Sequence, residues 1–178
     1  MRKFIGGIVF VALLVSVPAL AQAQRRAAAR PAPRSQRVVF ALQADWGSDT
    51  DFGIGARAIF GLQSLFPKTP LDAHVSFDYF FPSGGAGVDV KYWEINGNVG
   101  YRIPNMRGTL APYVGGGLNI AHASVSSGGL TASDTKAGLN LLAGTTFGRA
   151  ASKMKPFLEG RVTLSGGEQF VLTGGIRF

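Results

Sequence analysis

The reactive chemistry open to this chain is narrow, because it carries two histidines, ten carboxylates and no cysteine. The missing thiol excludes a disulfide framework, a thiolate metal site and a cysteine nucleophile. One arrangement resembles enzyme machinery: His122-Ala123-Ser124. A spacing of two puts His122 and Ser124 on the same side of an extended strand. A serine nucleophile needs such a base, and the base needs a carboxylate to orient it. Downstream lie Lys136 and Leu139, with Asp134 as the acid that could complete the set. His74 and Asp72 also share one face, an arrangement that suits a satisfied interior histidine better than a metal ligand. No His, Asp and Glu cluster has metal-ligand spacing. Gly115-Gly116-Gly117 lacks the helix that a phosphate-cradling loop requires, and fits close strand packing. No catalytic, cofactor-binding or metal-binding residues are therefore expected.

The elements that hold these residues repeat with a period of two from Val38 onward, not 3.6. In the first run Val38, Phe40, Leu42, Ala44 and Trp46 face one way, and Gln43 and Asp45 the other. Runs follow at residues 52–62, 71–81, 91–103, 109–123, 135–147, 156–164 and 168–178. Each sets an apolar face (Ile54, Phe77, Trp93, Leu118, Leu139, Leu158 and Leu172 among them) against a mixed one. That predicts eight strands. The connections at 47–51, 82–88, 126–134 and 165–168 are Gly/Ser/Asp loops, whereas the alternate ones carry Pro, Lys and Arg. An even number of antiparallel strands joined in this way predicts an all-β, up-and-down barrel over residues 38–178.

The rest of the chain reads as an address. Arg2 and Lys3 precede an apolar run from Phe4 to Val17, followed by Ala19-Leu20-Ala21-Gln22-Ala23. This is the pattern of a secretory signal peptide over residues 1–23, cleaved after Ala23 or Ala21. The run is shorter than the roughly 20 residues a membrane-spanning helix needs. Residues 24–37 hold five arginines, two prolines and no acid, which predicts a disordered basic periplasmic tail. The net charge of +8 is concentrated there: seven of the 18 basic residues precede position 38, leaving 11 against 10 acids. A generally basic nucleic-acid-binding domain is excluded.

A barrel of this size can hold its apolar face inside, around a ligand, or outside, in lipid. The mixed face carries glycine, serine and charges of both signs: Asp45, Arg57, Asp78, Glu94, Lys136, Glu159 and Arg161, with Arg102 and Arg177 nearer one rim. Small and paired polar groups suit a narrow lumen, and a continuous apolar face suits lipid. On that face Phe52 and Phe60, Trp93 and Tyr101, and Phe170 and Phe178 are each eight residues apart. Eight residues on a strand tilted by ~40° span about 20 Å, close to the roughly 25 Å between the aromatic girdles of membrane barrels. Trp46, Tyr79 and Phe81 would extend the upper girdle, and Phe40 and Phe147 the lower.

The signal peptide, the eight alternating runs, the segment Ala111-Pro112-Tyr113-Val114-Gly115-Gly116-Gly117-Leu118 and the terminal Phe178 together resemble the small outer-membrane β-barrel proteins. That group includes the OmpA membrane domain, OmpX and the opacity-type proteins. The resemblance implies an eight-stranded transmembrane barrel in the bacterial outer membrane. Its partners would be outer-membrane lipid and lipopolysaccharide, with no nucleic acid, and it would be a monomer. The ending Gly174-Gly175-Ile176-Arg177-Phe178 is similar to the signal read by the barrel-assembly machinery. A barrel of eight strands is just wide enough for side chains to fill. The leading expectation is therefore a plugged polar lumen with a structural or surface-interaction role. A narrow channel for small solutes is the alternative. A second alternative is a lipid A-modifying hydrolase using His122 and Ser124, since some barrels of this kind carry a His-x-Ser pair on the lipid-facing surface. Deleting Phe178, or replacing it with Ser, should block membrane assembly, as read by the loss of folded barrel from membrane fractions. Normal assembly of the truncated chain would remove the insertion-signal reading.

Overall fold

The structure is a computed structural model, and it describes residues 38–85, 87–104, 109–149, 151–164 and 168–178. The signal-peptide and basic-tail expectations fall on residues 1–37, outside the described residues.

Eight strands follow in chain order: β1 (Val38–Gly47), β2 (Asp51–Gly61), β3 (Leu71–Phe80), β4 (Val88–Arg102), β5 (Leu110–Ser127), β6 (Leu130–Phe147), β7 (Lys155–Leu164) and β8 (Gln169–Arg177). Each pairs antiparallel with its chain neighbours, and β1 pairs with β8, so the sheet closes as β1-β2-β3-β4-β5-β6-β7-β8. The closing seam runs from Ala41 opposite Arg177 to Gly47 opposite Val171. Beyond it Phe40 and Phe178 exchange backbone hydrogen bonds of 3.2 and 2.9 Å.

The alternation decides which way each side chain points. Leu42, Trp46, Ile54, Val75, Phe77, Ile95, Leu118, Leu139, Leu158 and Phe170 lie on the outer surface with large apolar areas uncovered. Inside, the described residues include 18 buried polar or charged side chains and only eight buried hydrophobic ones. The distribution is the reverse of a soluble barrel and follows from lipid being the outer solvent. Lumen glycines make room for the larger groups. A Cβ on Gly144 would come within 2.6 Å of the Tyr113 hydroxyl, and one on Gly175 within 2.5 Å of the Phe157 ring.

One expectation fails. Residues 126–134 do not form a loop; they continue β5 and β6, and the turn is only Gly128 and Gly129. Both have positive φ, 57° and 83°. A two-residue turn of that handedness matches the twist of the strands it joins, and glycine adopts it without steric penalty. β4 likewise begins at Val88, so β4, β5 and β6 reach 15, 18 and 18 residues against 9 to 11 elsewhere. They stand beyond their neighbours as a three-stranded sheet, because β3 pairs β4 only from Tyr92 and β7 pairs β6 only from Leu139.

Candidate functional site

The lumen holds the densest arrangement of charged groups. Arg57 on β2 is 5% exposed and meets Glu159 on β7 bidentately, at 2.7 and 2.8 Å. Parallel N–H···O bonds of this kind are the strongest form of ion pair, and dry surroundings strengthen them further. The Tyr113 hydroxyl donates to the same carboxylate at 2.8 Å. Arg161, also on β7, reaches Glu94 on β4 at 2.7 Å and lies 4.0 Å from Asp78 on β3. Glu94 further accepts from the Tyr92 hydroxyl at 2.9 Å and from the Gln169 amide.

Asn96 links these groups. Its oxygen accepts from Arg161, from Asn119 at 3.0 Å and from Asn140 at 2.8 Å, while its amide donates to Asp78 at 2.9 Å. Gln43 and Ser76 also donate to Asp78, at 2.7 and 2.9 Å, and Thr173 donates to Asp45 at 2.6 Å. By the alternation of the sequence these amides share the mixed face with the charges. Their inward parity was the available signal, but Asn140 meets Asn96 and Gln43 meets Asp78 across an intervening strand, which parity does not reveal.

Towards the rim where β1 begins and β8 ends, Arg57 lies over the Phe157 ring at 5.1 Å. Arg177 lies over Tyr113 and Phe157 at 5.0 and 4.9 Å. His74 is buried and packs edge-on against Tyr113 at 5.8 Å. Arg102 is not part of the interior network; it pairs with Asp72 at 2.9 Å at the rim, half exposed.

Lys136 is the clear correction. Its parity is inward, but its side chain is 57% exposed, 3.6 Å from Asp134, because β6 has already left the barrel there. Parity gives a side of the sheet and not a depth. The lumen charges are therefore Asp45, Asp78, Glu94 and Glu159 with Arg57 and Arg161, and Arg177 beside them.

The His122 and Ser124 pair faces outward, as parity requires. His122 stacks on Trp93 at 5.1 Å between centroids, and its Nδ1 is 2.8 Å from the Thr135 hydroxyl. Thr135 thus occupies the place where an orienting carboxylate would stand. Asp134 lies on the opposite face of the sheet with Lys136, across from Ala123. The three residues of the hydrolase arrangement are not brought together. Among the described residues no group of three or more His, Asp or Glu could hold a metal ion.

No family model matches the sequence, and a search of the curated proteins finds no match. Solved structures do match. The N-terminal β-barrel domain of Pseudomonas aeruginosa OprF aligns with a TM-score of 0.53 at 17% identity, over 79% of this chain and 97% of that one. Ail, the attachment invasion locus protein of Yersinia pestis, aligns with a TM-score of 0.53 at 15% identity, over 79% and 96%. The chain has the fold of a small outer-membrane barrel. At this identity the likeness concerns architecture, and it accords with the apolar outer belt.

Removing one partner of a buried interior pair leaves an uncompensated charge. Arg57→Ala and Glu159→Gln should each lower unfolding stability by about 3–5 kcal/mol, measured by urea unfolding in lipid vesicles. Lys136→Ala should leave stability unchanged. Equal effects at Arg57 and Lys136 would contradict the assignment of depth.

Proposed function

We propose that this protein is an integral outer-membrane barrel, exported by residues 1–23, whose lumen is plugged and whose role is structural and surface-interacting. One observation carries the plug. Arg57–Glu159 joins β2 to β7 and Arg161–Glu94 joins β7 to β4, so both pairs cross the interior between non-adjacent strands. Side chains meeting across the axis leave no aligned path, and opening one would require breaking buried ion pairs. The surface role is supported by the sheet of β4, β5 and β6, which extends beyond the barrel on one side. Ail, named for attachment and invasion, has the same architecture at low identity.

The orientation rests on charge. The connections at 62–70, 103–109 and 148–154 carry Lys68, Arg149 and Lys153 and no acid, with Lys155 at the start of β7; Arg107, from the same set, lies outside the described residues. At the other end stand Asp49, Asp51, Asp89, Asp134 and Glu168. That end is not free of bases, since Lys91 pairs with Asp89 and Lys136 with Asp134. Asp51 accepts from the Ser83 backbone amide at 2.9 Å, which holds its carboxyl below the usual range and ties two of the loops together. The basic end would face the periplasm, beside the anionic inner leaflet, with residues 24–37 as its tail. The projecting sheet would then face outward, and Phe178 would close the strand read by the assembly machinery. The barrel is proposed to act as a monomer.

Purified protein in planar bilayers should give no single-channel events; discrete openings would favour the narrow channel instead. A cysteine at Ser127 should react with an impermeant maleimide on intact cells, and one at Ser152 only after the outer membrane is permeabilised. The reverse pattern would invert the topology.

A further inference from the structure

The outer face of the projecting sheet differs from the rest of the belt's upper edge. On β1, β2, β7 and β8 the outward residues at that end are Trp46, Phe52, Leu164 and Phe170, all exposed and apolar. Across β4, β5 and β6 the register instead sets Lys91, Ser124 and Ser133 in one row, directly beyond the row Trp93, His122 and Thr135. The next row inward is Ile95, Ile120 and Ala137, which is apolar and faces lipid. A cluster of donors therefore sits where acyl chains give way to headgroups.

Two of these donors are uncommitted, one is held in place, and Lys91 has a single exposed partner. The Ser124 and Ser133 hydroxyls have no hydrogen-bond partner among the described residues. His122 is held between the Trp93 ring and the Thr135 hydroxyl. In the tautomer whose Nδ1 accepts from the Thr135 hydroxyl, the ring hydrogen sits on Nε2 and is free to donate. Opposed residues on neighbouring strands place their Cβ atoms about 5 Å apart, so one ammonium, two hydroxyls and one imidazole lie in two adjacent rows of one sheet face. Asp89 stands 3.5 Å from the Lys91 ammonium, in the row farther from the membrane.

We propose that Lys91, His122, Ser124 and Ser133 form a binding site for a lipid phosphate, that of lipid A in the outer leaflet. A phosphate offers several acceptor oxygens and negative charge to match this donor set, while the attached acyl chains lie along Trp93, Ile95 and Ile120. The site deepens the outer-membrane reading above and rests on its orientation. It gives His122 and Ser124 a shared role that needs no nucleophile.

The test uses the full-length protein folded in detergent with Trp46→Phe, which leaves Trp93 as the sole tryptophan of the two in the chain. Titration with bisphosphorylated lipid A should change Trp93 emission saturably. Lys91→Gln should raise the Kd about ten-fold, and Asp89→Asn should lower it. Lys136→Gln removes the same charge from the opposite face of the sheet and should leave the Kd unchanged. Each variant's folded state is checked by its electrophoretic mobility without heating. Equal losses from Lys91→Gln and Lys136→Gln would reduce the site to diffuse attraction and overturn the proposal. Equally tight binding of lipid A stripped of its phosphates would overturn it as well. Phosphatidylglycerol binding as tightly as lipid A would overturn the assignment of the source. The titration is independent of orientation in cells, so its failure leaves the topology to the labelling experiment.

Discussion

Inside a lipid bilayer an unpaired backbone amide or carbonyl costs several kcal/mol, since no water is present to replace the lost partner. For a sheet this constraint has one general solution, which is closure. The seam of β1 against β8 supplies it here, seven residue pairs long and extended by the reciprocal Phe40 and Phe178 bonds. Once the sheet closes, everything else is assigned. Each strand acquires one face toward lipid and one toward a narrow interior, and the polarity of a soluble protein is inverted.

The interior then has its own problem, because charges removed from water must find partners within reach. Two residues of one strand, Glu159 and Arg161, lie two positions apart on β7 and show how compactly this is met: β7 supplies an acid to Arg57 on β2 and a base to Glu94 on β4. Amides finish the network, with Asn96 receiving from three donors and giving to Asp78. Glycines on the inward face are part of the same packing. They lie opposite Tyr113 and Phe157, and a methyl at Gly144 or Gly175 would strike those rings. Polar pairing and small-residue spacing are thus two requirements of one narrow tube.

Beyond the barrel the constraints relax on one side only. β4, β5 and β6 extend past the point where β3 and β7 stop pairing, and the sheet they form has two unlike faces. One carries Asp134 and Lys136; the other carries the Trp93, His122, Ser124 and Lys91 group. In the proposed reading those outward residues continue the lipid-facing side of the barrel into the headgroup region.

Much of this was legible in the chain itself. Strict alternation from Val38 to Phe178 determined eight strands, their direction and the face of each residue, because a period of two leaves no other consistent assignment once one face meets lipid. The inward parity of Asp45, Arg57, Asp78, Glu94, Glu159 and Arg161 followed directly. Pairing did not, since Arg57 and Glu159 are 102 residues apart and meet across a barrel axis that no local pattern describes. Depth was equally hidden. Lys136 has lumen parity and stands in the open, and 126–134 reads as a loop although it is strand on both sides of a two-glycine turn. Parity is a property of each strand alone, so the sequence determines it. Height above the membrane depends on how far each strand extends past its neighbours in the closed barrel, and only the tertiary structure decides that.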